Sequence, residues 1–388
     1  MKVTQVYELL NAVTSEILGS TDIVKEDLSN VVDIGVQIFD ATSVDRYVKS
    51  LIDHIGKVIF VNRPYSGSAP SVLMDSWEFG AVLEKIQADI PEATENESWE
   101  LEDGQSYDPN IFYKPTVSAK FFQKKVTFEV PLSFTEMQVR GSFSSSEQLN
   151  SFVSMLYNAV DKSMTVKLDA LIMRTINAMT GETIHAEYGA ASLGSKSTTK
   201  AINLLYLYNN GPNASGTPLT ASAAMTDPEF IRFAVREMNI TKARMAKIST
   251  LFNVGGKARF TPADMLKTVM LADFKESADV YLQSDTFHDE YTRLVPADLV
   301  PYWQGPGDDS FDFADVTAIN ITTPSGDDVS ASGILCVMFD RDALGVANMN
   351  RRTTSNFNPK AEFYNNWFKA DSSYFADLDE NYVVFFVA

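Results

Sequence analysis

A serine three residues before a lysine, as in STTK at Ser197–Lys200, is the spacing used by a nucleophilic serine with a lysine base. The pattern is too short to carry a reaction without companion motifs, and none accompanies it. Just upstream, GAASLGSKST spaces Gly189 and Gly194 as a phosphate-binding loop would, but Ser195 stands where the lysine belongs. The lysine would not reach the phosphates, so the segment reads as a flexible loop. The three histidines, His54, His185 and His288, lie far apart with no local metal or triad spacing, and read as surface or helix-end residues. Cys336 sits in the apolar run ILCVMF with no neighbouring base and reads as an inert core thiol. GDDSFDFAD could surround a hard cation with Asp308, Asp309, Asp312 and Asp315. It lacks the ligand ladder and closing glutamate of a calcium hand, so a solvated acidic loop is the expectation. A soluble acidic enzyme would have to rest on this cluster alone.

A different kind of chemistry is offered by PEATENESWELEDGQSYD, from Pro91 to Asp108. It carries seven carboxylates and no base, with Trp99 and Tyr107 set among them. Such a segment could be a solvated loop, a cation site, or an arm that reaches a basic surface on another molecule.

The totals narrow the classes. A chain of 388 residues implies two domains or one domain with large excursions. A net charge of −19 argues against a nucleic-acid reader, which needs a basic footprint on phosphates. One cysteine rules out a disulfide framework within the chain and fits a reducing cytoplasm. The start MKVTQVYELL has neither the apolar core nor the cleavage site of a signal peptide. No apolar run approaches the ~20 residues of a membrane span, and no cofactor motif is present.

The elements that must position these residues follow from periodicity. Residues 1–56 read as short helices, with VDRYVKSLIDHIG apolar at helical spacing and stopped by Gly56. KVIFVNRPY then reads as a strand, SWEFGAVLEKIQADI as mixed helix signals, and VSAKFFQKKVTFEVPLSF as a strand. In that strand Phe122, Lys124, Val126, Phe128 and Val130 share one face, and Phe121, Gln123, Lys125, Thr127 and Glu129 the other. Residues 57–130 therefore read as one strand out, a long decorated excursion, and one strand back; connections of that length are functional or disordered. The strongest helix opens at SSSEQLN, with Ser144 and Glu147 at capping-box spacing, and ends at Gly181. Its apolar positions are Leu149, Phe152, Val153, Leu156, Val160, Met164, Leu168, Leu171, Ile172, Ile176 and Met179. At ~1.5 Å per residue it is a girder of about 50 Å. A loop-rich stretch with a helical island, AINLLYLYNN, follows to residue 226. Asp227-Pro228 then caps a helix. KTVMLADF, VTAINIT and GILCVMFD read as strands around a helix ESADVYLQSDTFHDEY, and the last forty residues as aromatic-rich strands ending in a buried YVVFFVA.

VDRYVKSLIDHIGKV, SFVSMLYNAVDKSM, TVMLADFKESADVYLQSDTFH and FYNNWFKADSSYFADLDENYVVFFVA, in this order, carry a resemblance. The chain resembles the major capsid proteins of tailed bacteriophages, which share the HK-ninety-seven fold, and most of all their small podophage, phi-twenty-nine-type branch. The resemblance implies an α+β fold in five parts. These are an N-terminal arm (1–56), an extended two-stranded loop with flanking strands (57–130), a peripheral domain with a long spine helix (131–220), an axial α/β domain (221–345), and closing strands of the peripheral domain (346–388). It implies a non-enzymatic head-shell subunit that self-assembles into pentamers and hexamers and encloses double-stranded DNA by proximity, without sequence-specific contact or a membrane. A portal protein would be a partner. So would a separate scaffolding protein, since no long charged N-terminal extension precedes the arm, with a cleaved prosegment as the alternative. The particle would assemble in the bacterial host cytoplasm. A bacterial encapsulin shell, which shares the fold, is the second reading; it resembles this chain less across the arm and excursion.

Placed on that loop, the acidic stretch would reach a neighbouring subunit. Glu95, Glu97, Glu100 and Glu102 would meet basic residues there, with Trp99 as the anchor. Candidate counter-charges are Lys120, Lys124, Lys125, Arg341, Arg351 and Arg352. The plainer reading leaves these carboxylates facing water.

Overall fold

The computed structural model describes residues 3–19, 24–25, 28–41, 44–61, 69–74, 83–88, 103–104, 110–211, 217–283, 294–304, 315–323 and 325–388. The N-terminal part is three helices: α1 (Val3–Leu18), α2 (Val31–Ala41) and α3 (Val44–Val61). A short strand β1 (Leu73–Met74) precedes the hairpin strands β2 (Leu83–Ala88) and β3 (Val117–Phe122), and β4 (Lys125–Thr135) follows. Next come α4 (Glu136–Ser142), the long helix α5 (Ser146–Tyr188), β5 (Ala201–Asn203), α6 (Leu204–Asn210), α7 (Ala221–Ala224) and α8 (Pro228–Met245). The remainder is β6 (Leu266–Leu271), α9 (Ala272–Gln283), β7 (Asp298–Val300), β8 (Ile319–Thr322), β9 (Asp328–Ala331), β10 (Ile334–Asp340), β11 (Leu344–Asn358), β12 (Phe363–Ala376) and β13 (Tyr382–Phe386).

Two sheets organise these pieces. One has the order β1-β11-β12-β4, antiparallel but for β1 beside β11; the other has the order β5-β13-β10-β6-β7, mixed, with β5 and β7 parallel to their neighbours. The chain crosses between the sheets twice near the end, from β10 to β11 and from β12 to β13. The closing segment thus divides: β11 and β12 form a long antiparallel pair, whereas β13 leaves them to lie between β10 and β5.

Each sheet has its own core, and α5 serves both. Leu149, Val153, Leu156, Val160 and Met164 pack with Leu51 and Tyr47 of α3, Phe134 of β4 and Phe368 of β12. From Leu168 onward the same helix packs with β10, β13 and Phe230 of α8. All the apolar positions assigned to it from periodicity are buried, except the half-buried Phe152.

The ends of α5 differ from expectation. Its N-cap is Ser145, whose Oγ accepts from the Gln148 amide, rather than Ser144. The reciprocal capping box belongs to α4, where Thr135 and Gln138 each bond the other's backbone amide. Gly181 does not end α5. It lies inside the helix where Ile321 of β8 approaches, and a Cβ there would sit 3.1 Å from the Ile321 Cγ2. The helix runs on to Tyr188 and stops at Gly189, in the left-handed region at φ +55, whose amide bonds the His185 carbonyl at 2.8 Å. At ~1.5 Å per residue its 43 residues span about 65 Å.

Other readings change as well: Ala201–Asn203 of AINLLYLYNN is a strand, and Ala272–Phe274 of KTVMLADF opens α9. Lys57–Val61 of KVIFVNRPY is the last turn of α3, not an outgoing strand. The outgoing strand is LEKIQA, which had read as helix. VSAKFFQKKVTFEVPLSF is two strands, broken at Gln123–Lys124, with Val126, Phe128 and Val130 turned inward as the alternation requires. Asp227 caps α8 by accepting from the Phe230 amide, and all seven residues of β10 are buried, as expected.

Candidate subunit interface

The hairpin has an inverted pattern of faces. β2 and β3 pair antiparallel with Leu83 opposite Phe122, Lys85 opposite Lys120, and Gln87 opposite Ser118 on one face. Glu84 opposite Phe121, Ile86 opposite Ala119, and Ala88 opposite Val117 make the other. The lysine-bearing face turns toward the chain's own body. The apolar face turns to solvent, with Ile86 66%, Val117 56% and Phe121 59% exposed. Just before β3, Ile111, Phe112 and Tyr113 are exposed as well. The hairpin's exposed apolar side chains, grouped on one face beside Glu84, make that face a candidate contact surface for another molecule.

The polar face is held by a cluster of ion pairs. Asp377, whose side chain is fully buried, accepts from Lys85 Nζ through Oδ2 at 2.9 Å and from Lys120 Nζ through Oδ1 at 2.8 Å. Lys85 also reaches Glu380 at 2.8 Å and the Asp342 carbonyl at 3.2 Å; Lys120 reaches Asp379 at 2.5 Å. Arg259 donates to Glu380 at 3.2 Å and to Gln87 at 2.6 Å. Burial opposes ionisation of Asp377, but the hydrogen bonds from Lys120 and Lys85 outweigh it and hold the carboxyl below the usual range. Burial likewise pulls the Lys120 ammonium down, and its bonds to Asp377 and Asp379 bring it above its ordinary value.

The residues expected at an interface fall into three groups. Glu95, Glu97, Trp99, Glu100 and Glu102 lie outside the described residues, as do Asp308, Asp309 and Asp312 and His288. Lys120, Lys125 and Arg352 have carboxylates on their own chain: Lys120 as above, and the other two at Asp371, at 4.0 and 2.8 Å. Their charges are therefore partly spent before any neighbour arrives. Lys124, Arg341 and Arg351 are exposed; Lys124 also lines a cavity of about 320 Å³ between the β3–β4 junction and α5. Sequence reasoning missed Lys85, Arg259 and the acidic turn Asp377–Glu380. The alternation in LEKIQA was the available signal for Lys85, but nothing local ties it to a turn almost three hundred residues away.

The remaining chemical readings find little support. Cys336 is fully buried, and burial pushes its thiol up, as an inert core residue requires. His54 lies 3.6 Å from Glu16 and 2.9 Å from the Ser50 carbonyl, and His185 lies 3.4 Å from Asp327. Asp315 accepts from its own neighbour Thr317. Among the described residues no group of three metal-binding side chains occurs, and no helix is long and apolar enough to cross a membrane.

The model of the family described as Phi29-like phage major capsid protein matches residues 10–386. This chain belongs to that family. It is a structural subunit of a phage capsid shell, and its place is the virion. The match is to the phage family, and the encapsulin alternative gains nothing from it. Solved structures align over most of their length. The capsid of Staphylococcus phage Andhra gives a TM-score of 0.49 at 11% identity, covering 84% of this chain and 86% of that one. The capsid of the cyanophage P-SCSP1u gives 0.44 at 8%, covering 85% and 92%. The mature capsid of bacteriophage PhiM1 gives 0.42 at 9%, covering 84% and 87%. These scores lie below 0.5, and the family assignment rests on the family match. No curated protein matches.

Proposed function

We propose that this capsid subunit builds its shell by laying the β2–β3 hairpin, with residues 89–116 between its strands, over the next copy of the chain. In this reading α5 is the spine of a peripheral domain that includes the sheet of β4, β11 and β12. Residues 221–345 form the axial domain, which meets its copies around five-fold and six-fold centres as pentamers and hexamers. Residues 1–56 form the arm. A separate scaffolding protein guides curvature, a portal protein occupies one vertex, and double-stranded DNA is enclosed without sequence-specific contact. Assembly takes place in the host cytoplasm. The net charge of −19 suits a container that must later release a polyanion.

The observation that carries this reading is the outward apolar face of the hairpin, Ile86, Val117 and Phe121, on strands whose polar face is already satisfied by their own chain. Burying such a face against a neighbour gains about 25 cal/mol per Å² of apolar surface, repeated at each copy. The test replaces Ile86 and Phe121 together by aspartate. The subunit should stay soluble and folded, because both side chains are exposed in it, while light scattering with scaffold present should show no shell formation. Assembly at the wild-type rate would overturn the reading.

A further inference from the structure

Lys85 and Lys120 stand directly opposite each other across the hairpin. Like charges at opposed positions destabilise a strand pair. Here one carboxylate resolves the conflict: Asp377 gives one oxygen to each lysine. The place of Asp377 in the fold matters as much as its charge. β12 ends at Ala376 in one sheet and β13 begins at Tyr382 in the other, so Asp377, Asp379 and Glu380 lie on the crossover between the sheets. The second crossover, from β10 to β11, supplies the Asp342 carbonyl that accepts from Lys85. The Asp377 amide in turn donates to the Ala343 carbonyl at 2.7 Å, which ties the two crossovers to each other. A lysine of the hairpin is thus bonded to both links between the sheets. Arg259, from the segment between α8 and β6, closes the cluster through Glu380 and Gln87.

We propose that Lys85 and Lys120 are positioning residues: they fasten the hairpin to the junction between the two sheets and fix the direction in which it leaves the subunit. The charges facing Asp377 and its neighbours are Lys85 and Lys120 from the hairpin, Arg259 from the α8–β6 segment, Asp379 and Glu380 from the crossover itself, and Asp340 and Asp342 at the start of the second crossover. Three bases meet three carboxylates in direct ion pairs, and the buried Asp340 also faces Lys85. The consequence is twofold. The apolar face of the hairpin is offered outward before any neighbour arrives, which lowers the ordering cost of association. Any rotation of one sheet against the other also carries the hairpin with it. That the outward face docks on a second copy rests on the function proposed above; the fastening itself does not.

Pulsed electron paramagnetic resonance on the unassembled full-length subunit separates the two. Cys336 is fully buried, so nitroxides attach only at introduced cysteines. Ala88→Cys on the hairpin with Val166→Cys on α5 reports the hairpin direction; Val166→Cys with Val280→Cys on α9 reports the body alone. The wild-type background should give one narrow distance distribution for each pair. Asp377→Asn, and separately Lys85→Gln with Lys120→Gln, should replace the narrow hairpin distribution with a broad one and leave the body pair unchanged. Restoring charge with Lys85→Arg and Lys120→Arg should bring the distribution back toward one peak. A narrow hairpin distribution in both neutralised backgrounds overturns the proposal. So does equal broadening of the body pair, which would make the cluster a general brace. Neither result depends on whether the subunit assembles, so the docking reading stands or falls separately.

Discussion

Thr180, about two turns before the C-terminal end of α5, and Tyr382, the first residue of β13, meet through their buried hydroxyls at 2.8 Å. Tyr382 also donates to the Ile176 carbonyl at 3.2 Å, so the Thr180 hydroxyl donates to Tyr382. Thr175 and Thr183, by contrast, bond back to carbonyls of their own helix. The contact therefore pins the long helix to the five-stranded sheet. Tyr382→Phe should cost about 1–3 kcal/mol, because the Thr180 hydroxyl is left in an apolar site. Adding Thr180→Val should return part of that loss. Urea unfolding of the unassembled subunit measures both; additive losses would show that the two hydroxyls do not act together.

The phase of α5 makes adjacent residues behave in opposite ways. Leu156 is 1% exposed and Met155 54%. Leu156→Asp buries an unpaired carboxylate against Val153, Val160 and Phe368 and should prevent recovery of folded subunit. Met155→Asp should change subunit stability by about 0.5 kcal/mol or less. Circular dichroism and thermal melting of the two variants side by side check the phase; equal effects would contradict it.

Acid should find a specific weak point at Asp371. The Arg352 guanidinium, 2.8 Å away, holds its carboxyl below the usual range; burial works against that, and the Thr127 hydroxyl at 2.7 Å supports it. A carboxyl lowered in the folded state contributes stability that is fully present above its free value near 3.9 and is lost as the pH falls through the folded value. Asp371→Asn should therefore be less stable than wild type at neutral pH, with the difference shrinking as the pH falls below about 4. Urea midpoints across that range measure it. A constant gap at all pH values would assign the loss to packing instead.

The acidic stretch has its own test. Replacing Glu95, Glu97, Glu100 and Glu102 by glutamine should leave the melting temperature of the free subunit unchanged and reduce the salt dependence of assembly, since screened attraction has been removed. Trp99→Ala should weaken assembly at high salt too, as loss of an apolar anchor would. Light scattering at two salt concentrations, beside melts of the free subunit, compares them. A lower melting temperature with unchanged salt dependence would place these glutamates in the subunit's own fold.

Much of the fold was legible where pattern and burial agree. The stripe from Leu149 to Met179, the Asp227 cap and the unbroken apolar run of β10 each follow from local periodicity or chemistry. Legibility failed where a distant partner overrides the local signal. Gly181 looked like a helix stop and is instead the place where Ile321 needs room. KVIFV is rich in β-branched residues yet continues α3. LEKIQA hides a strand because its inward face mixes Leu83 with Lys85 and Gln87, and the reason is Asp377, which sequence separation conceals. The same arrangement kept the candidate site hidden: the face of the hairpin proposed to dock carries exposed apolar side chains, whereas the acidic residues beyond it are the more conspicuous signal in the sequence.

The central claim is that the outward face of the hairpin is covered by another copy of the chain in the shell. Hydroxyl-radical footprinting of free subunits and of purified shells reads this directly at Phe112, Tyr113 and Phe121, which are 84%, 83% and 59% exposed in the subunit. All three should be oxidised readily in the free subunit and strongly protected in the shell. Equal oxidation in both states would contradict the account.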